Sequence, residues 1–162
     1  QSPQSPQSPQ SPQSPQSPQS PQHPIGDPMK REGGCLCGAV RYRATVDNAR
    51  FGACHCPMCQ KWTGGPLLNV RASDITFDGT PSVYRSSEWA ERGFCSACGS
   101  CLFYRLRSSD GPLHVTYGSL DDCEDMVFTH QVFTDKKPNG YSFANETGMM
   151  TSAQVLAMFA KS

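Results

Sequence analysis

Nine cysteines in 162 residues are the side chains here with the most chemistry to offer. Eight of them fall into three clusters: Cys35-Leu36-Cys37, Cys54-His55-Cys56-Pro57-Met58-Cys59, and Cys95-Ser96-Ala97-Cys98 with Cys101 close behind. Thiolates at such spacings bind soft cations or attack electrophiles. In an extended chain residues i and i+2 share a face, so Cys35 and Cys37 can offer two sulfurs to one ion. Cys95 and Cys98, followed by Gly99, have the spacing of a zinc knuckle, in which a tight turn directs two thiolates inward and glycine relieves the strain. The two pairs together are expected to close a tetrahedral four-cysteine zinc site. Such a site is saturated at about 2.3 Å per Zn–S bond and leaves no room for substrate. Its expected role is structural, contributing roughly 10–16 kcal/mol to folding.

The middle cluster differs. Cys54, Cys56 and Cys59 put three sulfurs within six residues, which leaves one coordination position open, the mark of a catalytic zinc. The open position suits water or a substrate thiol, whose pKa falls on binding zinc so that a thiolate nucleophile exists at neutral pH. If the segment is extended, His55 points away from Cys54 and Cys56 and is expected to be an outer group or a surface residue. Lys61 is the nearest cation in sequence that could offset the charge of the site. Three other readings compete. Cys95, Cys98 and Cys101 imitate a ferredoxin opening, but Arg105 stands where the fourth cysteine belongs. Redox dithiols fit poorly, because Cys35 and Cys37 are too close for an unstrained bridge and no βαβ pattern surrounds Cys95 and Cys98. The third has all the zinc structural, with Cys101 or Cys123 completing the middle cluster; otherwise these two are small apolar fillers.

The elements that must position these sulfurs are short segments alternating in polarity and broken by Gly, Pro, Asp and Asn, the pattern of β-structure. Strands are expected at Ala39–Ala44, Arg50–Cys54, Pro66–Arg71, Ile75–Phe77, Val83–Ser86, Leu102–Leu106, Leu113–Tyr117 and Thr129–Phe133. One helix is expected, at the C-terminus, where Thr151 and Gln154 form a capping box ahead of Val155, Leu156, Met158 and Phe159, residues that would pack it down. Helices do not alternate with strands, which argues against a doubly wound α/β fold.

Residues 1–21 are seven copies of Gln-Ser-Pro, and proline at every third position favours a solvated polyproline II spacer. The expected organisation is therefore a disordered tail over 1–28, with Met29 a candidate native start, and a zinc-binding domain over 29–162. Fourteen basic and fourteen acidic side chains cancel, so no long-range field draws in nucleic acid or an acidic membrane. The absence of a leader pattern or a long apolar run, with cysteines paired at metal spacing, leads us to expect a cytoplasmic chain.

At this point the sequence resembles the centromere protein V / glutathione-dependent formaldehyde-activating (GFA) domain family. The resemblance is carried by Gly33-Gly34-Cys35-Leu36-Cys37-Gly38-Ala39-Val40-Arg41-Tyr42, by Cys54-His55-Cys56-Pro57-Met58-Cys59-Gln60-Lys61, by Phe94-Cys95-Ser96-Ala97-Cys98-Gly99-Ser100, and by Gly118-Ser119-Leu120-Asp121-Asp122 ahead of His130. It implies a mainly β, Mss4-like fold of packed antiparallel sheets with zinc sites. It also implies a structural zinc on Cys35, Cys37, Cys95 and Cys98, and a second zinc on Cys54, Cys56 and Cys59. The implied activity is that of a carbon–sulfur lyase acting on a thiol–aldehyde adduct such as S-hydroxymethylglutathione, formed from glutathione and formaldehyde, with a small-molecule thiol as partner. The sequence departs from the family pattern in carrying Cys101 and in having no tryptophan between Lys136 and Met149. The alternative from another class is a non-catalytic zinc-stabilised binding module tethered by the tail.

Overall fold

A computed structural model describes residue 3 and residues 26–108, 111 and 113–160 of the chain. Most of the expected tail over 1–28 lies outside the described residues. In chain order the elements are β1 (Met29–Gly34), β2 (Arg41–Val46), β3 (Arg50–Cys54), α1 (Pro57–Thr63), β4 (Leu67–Asp78), β5 (Ser82–Arg85), β6 (Ala90–Phe94), β7 (Cys101–Leu106), β8 (Leu113–Thr116), β9 (Val127–Val132), β10 (Gly148–Met150) and α2 (Ser152–Ala160).

The organising element is β4. Pro66–Arg71 and Ile75–Phe77, read as two strands, are joined into one because Ala72 between them pairs with Val46 on one side and Leu113 on the other. Along one edge of β4 run first β2, opposite Ala72–Asp78, and then β3, opposite Leu67–Asn69; β8 occupies the other edge. From β8 the sheet continues through β7 and β6 to β5, and from β3 through β9 to β10, while β1 pairs outside β2. The mainly β expectation holds, with one refinement: the sheet is mixed. β9 runs parallel to β3, and β10 parallel to β9. Parallel neighbours need a long return connection rather than a hairpin turn, and residues 133–147 supply one between β9 and β10.

Alternation along the strands fills the core. Tyr42, Ala44 and Val46 of β2 turn inward against Val70, Ala72, Phe103, Val115 and Leu113, with Val40, Leu102, Leu120 and Met126 closing the cluster. Phe103 lies where a Cβ on Gly93 would stand, so β6 needs glycine at that position for the ring to approach. β1 and β6 escaped the sequence reading because their residues, Met-Lys-Arg-Glu-Gly-Gly and Ala-Glu-Arg-Gly-Phe, look like solvated charge. Several of their charges are instead paired, Arg31 with Asp125 of the turn before β9 at 2.6 Å and Glu91 with Arg105 of β7 at 2.5 Å.

The capping box of α2 forms as expected: the Thr151 amide donates to Gln154 Oε1 at 2.8 Å and the Gln154 amide to Thr151 Oγ1 at 3.3 Å. Its packing does not follow the expectation. Val155 is buried, but Leu156, Met158 and Phe159 are exposed. The chain also contains a second helix, α1. Among the described residues no helix is long and apolar enough to cross a membrane.

Candidate functional site

Two tight turns build the first sulfur group. After β1, the Cys35 amide donates to Val40 O at 3.0 Å and the Val40 amide donates to Cys35 Sγ at 3.2 Å, with Gly38 at φ 81°. After β6, the Cys95 amide donates to Ser100 O at 3.0 Å and the Gly99 amide to Cys95 O at 2.7 Å, with Gly99 at φ 79°. Left-handed backbone of this kind is where glycine is favoured. Cys35 and Cys37 thus meet through a turn, not through the extended segment expected, because the chain must reverse between β1 and β2. The Leu36 amide donates to Ser100 Oγ at 3.0 Å, tying one turn to the other.

Cys35, Cys37, Cys95 and Cys98 bring their sulfurs within 4.8 Å of one another. Cys35 and Cys37 Sγ are 3.6 Å apart and Cys37 and Cys95 Sγ 3.8 Å. Two sulfurs bonded at about 2.3 Å to one tetrahedral ion would be separated by about 3.8 Å, so the spacing suits a single cation. The Ser100 hydroxyl and amide lower the Cys98 thiol to about 5, which favours a ligating thiolate.

The second group forms where β3 gives way to α1. Cys54 ends the strand; Cys56 caps the helix, its sulfur accepting the Cys59 amide at 3.3 Å; Cys59 lies in the first turn. This helix corrects the expectation of a single C-terminal one: Pro57 at the first helical position and Gly64 at φ 81° just past the end are its local signals, but at seven residues it is too short to show an apolar period. The three sulfurs lie within 4.8 Å of one another. Among the described residues neither Cys101 nor Cys123 joins them, and all nine cysteines are free of disulfides. Crowding divides the protons unequally: hydrogen bonds from Cys54 and then Cys59 push the Cys56 thiol far down, while hydrogen bonding to Cys56, then Cys59, and burial push Cys54 up.

His55 is turned away from the sulfurs, as alternation predicts, but into the protein. It is fully buried, with Nε2 2.8 Å from Gln131 Oε1. The Gln131 amide nitrogen donates to Thr147 Oγ1 at 3.0 Å, which leaves its oxygen to accept from His55. Lys61 is exposed. The cation at the site is one the sequence reading missed, Arg92, which is buried and donates to Cys59 Sγ at 3.5 Å. Its guanidinium carbon lies 5.1 Å from the Trp62 ring centroid and 5.0 Å from that of Tyr104. Glu91-Arg92 reads as a surface charge pair until β6 is recognised as a strand, when alternation sends the two side chains to opposite faces.

Register places Arg71, His114, Tyr104 and Arg92 in one row across β4, β8, β7 and β6. Burial, then the Arg71 and His130 charges, depress His114 to about 4, against a smaller opposing pull from Asp47. Unfolded, this imidazole titrates near 6.5. Between these values the unfolded chain binds more protons, so His114 contributes stability that is whole above pH 6.5 and lost as pH falls through 4. The contribution is at most about 3 kcal/mol. Urea midpoints measured from pH 7 to pH 4 are expected to fall more steeply for the wild type than for His114→Gln; parallel curves would contradict this.

The family model described as glutathione-dependent formaldehyde-activating enzyme matches residues 30–136, a span that contains both sulfur groups. A Schizosaccharomyces pombe protein named an uncharacterized lyase is 31% identical over 133 residues, covering 80% of this chain and 97% of that one. A crystal structure of a Rhodobacter sphaeroides protein superposes with a TM-score of 0.50 at 23% identity, over 60% of this chain and 99% of the other, a likeness of fold alone. The family match spans well over half of the chain, and the yeast relative is matched over almost its whole length: the chain belongs to the glutathione-dependent formaldehyde-activating enzyme family.

Proposed function

We propose that the chain is a zinc-dependent, carbon–sulfur lyase-like enzyme acting on a thiol–aldehyde adduct such as S-hydroxymethylglutathione in the cytoplasm, with residues 29–162 as its zinc-binding domain and 1–28 as a tail. The observation that carries this reading is a three-sulfur group with no fourth protein ligand among the described residues, standing in the same molecule as a complete four-sulfur group. Cys35, Cys37, Cys95 and Cys98 hold a structural zinc, and Cys54, Cys56 and Cys59 hold the working one. The donors fit such ions: all are thiols free of disulfides, and a buried guanidinium beside Cys59 favours its thiolate. Zinc bound at the three-cysteine site supplies the acidity that keeps a substrate thiol as thiolate at neutral pH.

In the synthetic direction a bond forms between the thiol sulfur and the aldehyde carbon, and the proton lost from sulfur ends on the carbonyl oxygen as a hydroxyl; the reverse reaction breaks the same bond. The chain contributes position. The strand-to-helix turn fixes three sulfurs on one side of the reacting centre, and Trp62 and Tyr104 hold the cation behind Cys59. Proximity and a lowered thiol pKa supply most of the rate. The test is to follow adduct formation from glutathione and isotope-labelled formaldehyde by NMR, with and without protein. A rate rising in proportion to protein is expected, and equal rates would end the reading for this substrate.

A further inference from the structure

We infer that Arg92 is a positioning residue of the three-cysteine site, its guanidinium offsetting the charge of the sulfurs so that the open position takes an anionic ligand, the substrate as thiolate, in preference to a neutral one. The inference rests on the reading above, in which Cys54, Cys56 and Cys59 hold a dication with one position left.

The geometry begins with an uncompensated charge. Arg92 is 4% exposed, and its Nε has no hydrogen-bond partner. Six other arginines, at positions 31, 41, 43, 71, 85 and 105, each pair with a carboxylate. Among the described residues Arg92 has no carboxylate partner; its hydrogen bond is to the Cys59 sulfur. A cation taken out of water without an anion is costly, and two aromatic faces offset only part of that cost. The polar group within reach of Arg92 is the Cys59 sulfur, one of the three that would carry negative charge when the group holds a cation.

The placement is rigid. Arg92 pairs with Tyr104 across β6 and β7, and alternation directs it to the face opposite Phe103 and the core. Trp62, three residues beyond Cys59 on α1, supplies a second ring against the guanidinium. A planar guanidinium suits contact with two rings and a sulfur in a way that a lysine head does not.

The electrostatic consequence is specific. Three thiolates, a dication and Arg92 sum to zero charge, so an incoming thiolate leaves the site at −1. Without Arg92 the same ligand would leave it at −2. One unit charge at this range, in the partly screened interior, changes the affinity for an anion by roughly ten- to hundredfold and leaves that for a neutral ligand nearly unchanged.

Cobalt(II)-loaded wild type, Arg92→Met and Arg92→Lys are to be titrated with 2-mercaptoethanol, which ligates as an anion, and with imidazole, which ligates neutral, following the visible bands of the metal. The Met variant is expected to keep two metals and to need ten- to hundredfold more thiol with its imidazole titration unchanged, and the Lys variant to recover most of the thiol affinity. An unchanged thiol requirement in Arg92→Met would overturn the proposal and leave the open site standing. A wild-type spectrum that answers neither ligand would remove the open site and this inference with it. Should the Met variant fail to fold, Arg92→Gln takes its place in the same titrations: a ten- to hundredfold higher thiol requirement with imidazole unchanged supports the role of Arg92, and an unchanged thiol requirement overturns it.

Discussion

Replacing Cys95 by serine is expected to cost the chain its fold. Cys95 is buried, and its turn is joined through the four-sulfur group to the turn between β1 and β2. These turns lie on opposite sides of β4, since β1 and β2 branch from one of its edges while β6 is reached through β8 and β7 from the other. A metal shared by the two turns would therefore fasten distant parts of one sheet. Metal binding at such a site contributes roughly 10–16 kcal/mol, against a net stability of about 5–15 kcal/mol for an ordinary domain. Serine is a poor substitute for a thiolate ligand, and its neighbours would be left as an incomplete cluster. Far-UV circular dichroism of Cys95→Ser at 25 °C should show lost strand signal, and a strong chelator should bring the wild type to the same state. Cooperative unfolding of the variant within about 1 kcal/mol of wild type would show that the group does not hold the fold together.

Cys56→Ser should do the opposite: fold, keep one metal, and lose activity. Cys56 is half-buried at the cap of a short helix, away from the main core cluster, and a serine hydroxyl caps a helix as well as a thiol or better. The sulfur lost is one of three, however. Changes behind a metal ligand alone commonly cost 10–100-fold in affinity or activity, so removal of a ligand should cost at least about 100-fold in the rate of adduct formation. Cys101→Ser serves as the comparison. Cys101 lies outside both sulfur groups, with its thiol 3.8 Å from the Trp62 carbonyl, and its rate should stay within about twofold of wild type. Equal losses in both variants would mean that the three-cysteine group has no special role.

The sulfur groups were legible in the sequence because cysteine spacing is a local property and each pair is joined by a short turn whose glycine is visible at position 38 or 99. The Arg50–Cys54 strand is legible with its observed bounds, since apolar Phe51 and Ala53 alternate with Arg50 and Gly52. What was hidden depended on partners distant in sequence. Arg31 and Arg92 look solvated until Asp125 and Cys59 are brought to them. The parallel course of β9 depends on a crossover whose path short-range pattern does not encode. Conversely, α2 was predicted well as a helix and badly as a packing unit, because its apolar residues state a preference for burial without naming a surface to bury against.

The central claim is a division of labour between a closed and an open sulfur site, and X-ray absorption at the zinc edge combined with metal analysis tests it most directly. Wild-type protein is predicted to carry two zincs per chain with about 3.5 sulfurs per zinc on average, and Cys56→Ser a single zinc with about four. One zinc per chain in the wild type, or two that both carry four sulfurs, would contradict the account.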